Sequence, residues 1–267
     1  MRETFKDKKR LVVKVGTSTL THENGRLHLR RMERLVKVLA DLRNSGREVI
    51  LVSSGAISVG AQKLGLTEHP RETRARQASA GVGQCELMFM YDKLFSEYNH
   101  VIGQLLLTAA DVQDGQRREN LENTFAQMLA YGAIPIVNEN DSVAVDELIF
   151  GDNDTLSAIV AALVKADLLI LLTDIDGLYT LDPHRVAKDP HRDAQALLLS
   201  EVREITPELR EAAGGRGSSR GTGGMITKLD AAQLARNANI PTAICNGEDP
   251  ENIYRLLDGE IVGTVFL

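Results

Sequence analysis

Two lysines in glycine-bearing settings, Lys14 ahead of Gly16-Thr17-Ser18 and Lys228 just after Gly221-Thr222-Gly223-Gly224, bracket two acid and amide clusters in the middle of the chain. The clusters are Asn138-Glu139-Asn140-Asp141 and Asp152-Asn153-Asp154. This set suits phosphoryl transfer, where negative charge spreads over the transferred group and the leaving oxygen, and positioned cations supply most of the catalysis. At an effective dielectric near 20, one charge at about 4 Å is worth about 4 kcal/mol, nearly three orders of magnitude in rate. The carboxylates cannot bind phosphate directly. They can hold a substrate ammonium, position the lysines, or gather magnesium-bound water around a nucleotide. Any one of these Asp and Asn residues also reads as a turn or N-cap residue; their occurrence in two neighbouring clusters is what points to a site.

The elements that must position them follow from periodicity. Ala133 to Val137 reads as the end of a buried strand leading into the first cluster, and the second cluster runs into Thr155 to Lys165, whose Leu156, Ile159, Val160 and Leu163 recur at helical spacing. One cluster leaves a strand and the other opens a helix, so both converge on the crevice where open α/β sheets bind ligands. Leu11 to Val15 is an apolar strand containing Lys14, which needs either an anion or a path to water. The following Gly-Thr-Ser favours the anion, as phosphate. Val49 to Val52 empties into Ser53-Ser54-Gly55-Ala56 before a helix, a turn that aims backbone N–H groups at an anion. Leu168 to Leu172 ends in Thr173-Asp174. The glycine-rich stretch 214–224 opens the helix Met225 to Asn237 and suits polyphosphate, although no GxxxxGK[ST] occurs and a Walker-type fold is excluded.

The remaining elements read as scaffold. Leu27 to Asn44 is an amphipathic helix with Met32, Leu35, Val36, Leu39 and Leu42 on one stripe. Arg71 to Tyr98 predicts one or two helices interrupted by Gly81-Val82-Gly83. Val101 to Leu107 is a strand, and Gln113 to Asn120 a polar surface loop. Ser142 to Phe150 predicts a small hairpin, a flap beside the ligand, and Asp182 to Asp193 an exposed loop. The chain closes with a strand at Thr242 to Cys245, a helix near Glu251 to Leu257 and a strand at Thr264 to Leu267.

Recurring apolar runs alternating with helical patterns predict an α/β fold, a mostly parallel open sheet sandwiched between helices, as a single domain over 1–267. With 31 basic against 37 acidic residues and no run of five like charges, nucleic acid is disfavoured as a partner. Cys85 and Cys245, far apart and without a CxxC, are expected to be buried reduced thiols, and no segment suits a signal peptide or membrane span. A cytoplasmic location is expected.

Six ordered motifs resemble the glutamate 5-kinases of the amino acid kinase family. They are Lys14-Val15-Gly16-Thr17-Ser18, Val52 to Ala56, Asn138 to Asp141, Gly151 to Asp154 with Leu156-Ser157-Ala158, Leu172-Thr173-Asp174, and Gly221 to Met225 with Thr227-Lys228. The resemblance spans nearly the whole chain and implies the amino acid kinase fold. It also implies transfer of the ATP γ-phosphate to the side-chain carboxylate of L-glutamate, the first step of proline synthesis, with Mg2+ carried by the nucleotide and no metal ligands assigned on the protein. It implies that Lys14 steadies the transferring phosphoryl group, that Lys228 steadies the departing ADP, and that Asp154 orients both. Ser54, Asp141 and Asn153 would bind glutamate with help from Asn138 and Asp152. Lys14, Gly16, Thr173, Asp174, Thr222, Gly223, Gly224, Met225, Ile226, Thr227 and Lys228 would line the nucleotide. Also implied are L-proline as feedback inhibitor, a glutamyl phosphate reductase receiving the product, and a homodimer or homotetramer. Many bacterial relatives continue into a C-terminal PUA domain, which this chain is expected to lack.

Two other readings stay open on sequence. One is a related carboxylate or carbamate kinase such as an acetylglutamate kinase, separated by whether a free α-ammonium is recognised. The other is a non-catalytic sensor, whose mark would be loss of Lys14, Lys228 or Asp154; all three are present.

Overall fold

The run Leu11-Val12-Val13-Lys14-Val15 forms a strand, β1 (Arg10–Val15), buried on both faces. β-branched side chains suit the pleat, and continuous burial is the mark of a parallel sheet covered on both sides. In the computed structural model, which describes residues 5–143, 152–181, 196–214 and 224–267, β1 lies inside the sheet. The other strands are β2 (Glu48–Ser53), β3 (Ile102–Leu107), β4 (Ile134–Glu139), β5 (Leu168–Thr173), β6 (Glu201–Val202), β7 (Thr242–Asn246) and β8 (Thr264–Phe266). Among the described residues they form one eight-stranded sheet in the order β3-β4-β2-β1-β5-β7-β8-β6. Every pairing is parallel except β7 with β8.

The helices are α1 (Thr17–Leu20), α2 (Leu29–Asn44), α3 (Ala56–Lys63), α4 (Thr73–Ser96), α5 (Ala109–Gln113), α6 (Gly115–Ala130), α7 (Asn153–Leu163), α8 (Pro207–Ala213), α9 (Met225–Asn237) and α10 (Asn252–Leu257). Alternation along β1 sends Leu11, Val13 and Val15 into a core with residues of α2, α4 and α10. Val12 goes to the opposite core, with residues of α6, α7 and α9. Fully burying each such side chain is worth about 1.5–3 kcal/mol, which is what holds both helical layers to the sheet. Lys14 shares the parity of Val12, so its side chain leaves the strand toward α7 and α9.

The sequence predicts an interruption at Gly81-Val82-Gly83, but α4 runs unbroken through it. These glycines serve packing. A methyl group on Gly83 would sit 1.8 Å from the Ala56 carbonyl oxygen, and one on Gly60 would sit 1.8 Å from that of Ser79, so α3 and α4 cross at backbone contact. Gly83→Ala is therefore expected to cost about 3 kcal/mol, near the top of the range for overpacking, because the obstructing atoms are main chain. At Gly81 a methyl meets only Ser142 Oγ, at 3.6 Å. Gly81→Ala should be neutral or stabilising by up to about 1 kcal/mol. Urea unfolding midpoints for the two variants check this; equal shifts would remove the argument.

The polar stretch Gln113 to Asn120, expected as a loop, is the junction of α5 with the first turns of α6. Asp114 caps α6 by accepting from the Arg117 N–H at 2.9 Å, and Arg118 pairs with Glu122 one turn on. Leu121, Phe125 and Leu129 are buried and carry the polar turn into the helix. Cys245 is buried and free, whereas Cys85, also free, is exposed, against expectation, because it falls on the outward side of α4. Of the expected flap, residues 144–150 lie outside the described residues, as do 182–195 and the glycine-rich 215–223. Among the described residues no helix is long and apolar enough to cross a membrane.

Candidate active site

Four neighbouring parallel strands, β4, β2, β1 and β5, deliver polar residues to one edge of the sheet. These are Asn138 and Glu139 from β4, Ser53 and then Ser54 from β2, Lys14 and the Gly16 turn from β1, and Thr173 and Asp174 from β5. The order in which strands are added reverses at β1, which has β2 on one side and β5 on the other; crevices at such a switch point bind ligands in open α/β sheets. The turn after β2 needs Gly55, whose φ of +102° caps α3 in a conformation that other residues rarely adopt.

Asp154, in the first turn of α7, is the centre of the charge arrangement and is wholly buried. The Lys14 ammonium is 2.5 Å from its Oδ1 and the Lys228 ammonium 3.0 Å from its Oδ2, with each lysine only 7% exposed. The sequence asked what anion allows a lysine in β1, and favoured phosphate. Within the protein that anion is Asp154. Thr227 Oγ1 donates to Asp154 Oδ2 at 2.9 Å, and Lys228 Nζ also lies 3.5 Å from the Gly224 carbonyl. Burial alone would raise the Asp154 carboxyl, but the two lysine charges and their hydrogen bonds outweigh it and hold the group well below the usual carboxylate range. One negative and two positive charges leave this buried triad net positive and ready for an anion.

On the other side of Asp154, along the same turn, Asn153 Nδ2 reaches three acceptors: Asn138 Oδ1 at 2.8 Å, Ser54 Oγ at 2.9 Å and the Ser53 carbonyl at 3.2 Å. The structure thus brings Ser54, Asn138 and Asn153 into one cluster. Asp152 caps α7, its Oδ1 accepting from the Thr155 N–H at 3.0 Å, while its buried Oδ2 has no hydrogen-bond partner among the described residues. It is therefore both the cap that its sequence suggests and a carboxylate oxygen open to a cation. Glu139 lies within electrostatic reach of Asp141, Arg76 and Asp152, and Asp141 within reach of Arg76. Burial raises the Asp141 carboxyl, with Arg76 pulling against it. Glu139 is pushed up to about 7, by burial first and then by Asp141, against Arg76, with Asp152 adding to the rise.

Nucleotide candidates gather around β5 and the start of α9. Thr173 is buried and donates from Oγ1 to Asp174 Oδ1 at 3.1 Å, while Asp174 is exposed. A Cβ on Gly16 would be 3.7 Å from Lys14 Nζ and 3.9 Å from the Leu172 carbonyl, which sets that turn against the end of β5. Gly224, Met225, Ile226 and Thr227 are partly exposed at the head of α9; Thr222 and Gly223 lie outside the described residues.

Sequence reasoning missed the residues of α4 that stand behind this edge. Gln84 Oε1 accepts from Asn138 Nδ2 at 3.0 Å, and the buried Tyr91 hydroxyl is 2.8 Å from Ser53 Oγ. Ser53 Oγ donates onward to the Ser54 carbonyl at 3.2 Å, so Tyr91 is the donor in that pair. Burial raises the Tyr91 phenol against the Ser53 bond, which keeps its proton in place. The available signal was a glutamine and a tyrosine one heptad apart on the stripe that also carries Ala80, Leu87 and Phe95.

A mostly parallel α/β sheet with two buried ammonium groups on one carboxylate at its strand ends defines a phosphotransferase architecture, and the sequence pattern described as the amino acid kinase family matches residues 9–246. The chain belongs to the amino acid kinase family, and within it to the glutamate 5-kinases. It is 52% identical over 271 residues to the glutamate 5-kinase of Clostridium perfringens, covering 100% of this chain and 98% of that one. To the glutamate 5-kinase of Listeria innocua it is 54% identical, covering 100% and 95%. With the Carboxydothermus hydrogenoformans enzyme it shares 52% identity over 100% of this chain and 70% of that longer relative. Among solved structures, an isopentenyl phosphate kinase from T. acidophilum shares the fold, with TM-score 0.65 and 19% identity over 97% of this chain and 100% of that one. The UMP kinase of Bacillus anthracis does so with TM-score 0.63 and 17% identity, over 97% and 96%.

Proposed function

We propose the following division of labour for the ATP-dependent phosphorylation of the L-glutamate γ-carboxylate, which gives L-glutamyl 5-phosphate and ADP and opens proline biosynthesis. The acceptor is already an ionised carboxylate, so the reaction needs no general base; its difficulty is bringing that anion against a polyphosphate. An oxygen of the carboxylate attacks the γ-phosphorus while the bond to the β–γ bridging oxygen breaks, and ADP leaves with the electron pair. Lys14 balances the charge on the transferring group and Lys228 the charge on the leaving oxygens, while Asp154 keeps both ammonium groups aimed. The observation that carries this reading is Asp154, wholly buried between those two lysines.

Ser54, Asn138, Asp141, Asp152 and Asn153 form the glutamate side. Asp141 and the Asp152 oxygen that has no hydrogen-bond partner among the described residues meet the α-ammonium, and Ser54 and Asn153 the polar groups beside it. Gly16, Thr173, Asp174, Gly224 to Lys228 and, beyond the described residues, Thr222 and Gly223 hold the nucleotide. Magnesium arrives on its phosphates, since the central carboxylate, Asp154, has both oxygens occupied by ammonium groups and fits a cation-orienting role better than a metal-ligating one. L-proline competes at or near the glutamate side as feedback inhibitor. A glutamyl phosphate reductase takes up the hydrolysis-prone acyl phosphate, and the chain works in the cytoplasm as a homodimer or homotetramer.

The test is ATP-dependent hydroxamate formation with L-glutamate, N-acetylglutamate and L-aspartate, with and without L-proline. Signal with L-glutamate, suppressed by proline, supports the reading; signal with N-acetylglutamate instead overturns the ammonium assignment. A pH dependence follows from Glu139, whose carboxyl is raised to about 7 by burial, with Asp141 and Asp152 adding to the rise and Arg76 opposing it. Below that value it is protonated and adds no attraction for the ammonium; above it, it is ionised and does. The KM for L-glutamate should fall as pH rises from about 6 to about 8, and Glu139→Gln should flatten the profile. A wild-type profile in the variant would remove Glu139 from that role.

A further inference from the structure

We infer that Gln84 is a positioning residue for the substrate, holding Asn138 in place as one of the acceptors that fix which end of the Asn153 amide faces the cleft. The inference rests on the assignment of Asn153 to the glutamate side. It starts from one backbone group. The Glu139 N–H donates to the Asn138 side chain at 2.9 Å, so the atom it meets is the carbonyl Oδ1. The Asn138 NH2 must then donate, and Gln84 Oε1 takes it at 3.0 Å, both side chains being buried. Asn138 Oδ1 accepts a second hydrogen bond, from Asn153 Nδ2 at 2.8 Å. With its nitrogen also drawn toward Ser54 Oγ and the Ser53 carbonyl, Asn153 has its own Oδ1 turned the other way, as an acceptor suited to an α-ammonium. Ser54 Oγ, having accepted from Asn153, keeps its hydrogen for a substrate oxygen.

Gln84 anchors the far end of this amide chain, where the Asn138 NH2 needs an acceptor. Gln84 sits on the buried stripe of α4, between Ala80 and Leu87, where an apolar side chain would pack at lower desolvation cost. Without an acceptor there, the Asn138 NH2 is buried and unpaired. Rotating the amide to relieve it would set NH2 against the Glu139 N–H, so the side chain must shift, and Asn153 loses the shortest of its three contacts.

Steady-state kinetics on Gln84→Met, Gln84→Glu and Asn153→Ala, varying L-glutamate and ATP separately, tests this. Gln84→Met keeps length and volume but removes the acceptor. It is expected to raise the glutamate KM about tenfold while the ATP KM and kcat stay within about twofold. Gln84→Glu retains an accepting oxygen and should return the glutamate KM to within about threefold of wild type. An unchanged glutamate KM in Gln84→Met, an equal rise in Gln84→Met and Gln84→Glu, or a parallel rise in the ATP KM would each overturn the proposal. Asn153→Ala separates the layers. If it raises the glutamate KM and Gln84→Met does not, only the role of Gln84 falls; if it has no effect, the assignment of Asn153 falls and takes this one with it.

Discussion

Asp154→Ala should abolish hydroxamate formation and lower the stability of the unliganded protein by about 3–5 kcal/mol at neutral pH, the cost of stripping the partner from buried charges. Both effects have one origin. The carboxylate is the counter-charge for the ammonium groups of two lysines that are each only 7% exposed. Its pKa is depressed in the folded state, so the stability it contributes is present above the ordinary carboxylate value near 4 and is lost as pH falls through the lower, folded value. The gap in urea midpoint between wild type and Asp154→Ala should therefore be full at pH 7 and shrink below about pH 4. A variant that loses activity but unfolds like wild type at pH 7 would show that the lysines are buried at no cost to the fold.

Lys228→Met should be the mirror case, with a large catalytic loss and a small structural one. A cation about 4 Å from developing charge at an effective dielectric near 20 is worth about 4 kcal/mol, so kcat is expected to fall by about three orders of magnitude. The glutamate KM should stay within about threefold, because the glutamate cluster of Ser54, Asn138 and Asn153 does not touch Lys228. Stability should suffer less than in Asp154→Ala: Lys14 still neutralises the carboxylate, and methionine fills most of the vacated volume. Single-turnover measurements with saturating ATP separate the chemical step from product release. A fall of less than tenfold in that step would take Lys228 out of the transition state.

Much of the scaffold was legible in the chain because strand and helix periods leave different marks. The unbroken apolar run Leu168 to Leu172 announced a strand buried on both faces, and Leu156, Ile159, Val160 and Leu163 a helix covering it. Local rules failed where a longer-range demand outweighed them. Gly81-Val82-Gly83 looks like a break, yet α4 continues because Gly83 must admit the backbone of α3. Gln113 to Asn120 looks like a loop, yet Asp114 and the buried face of Leu121, Phe125 and Leu129 carry its second half into α6.

The sequence by itself determined the succession of most strands along the chain, the small residues at their ends and the presence of Lys14, Asp154 and Lys228. These are set by period, turn chemistry and residue type, all local quantities. Only the tertiary structure decided that Lys14 and Lys228 share one buried carboxylate, since they are far apart in sequence and meet because β1 and α9 both pack against α7. It also decided that Gln84 ends an amide chain running to Asn153. A hydrogen bond between side chains on separate elements depends on how those elements pack, and helical spacing along α4 marks only which face is buried.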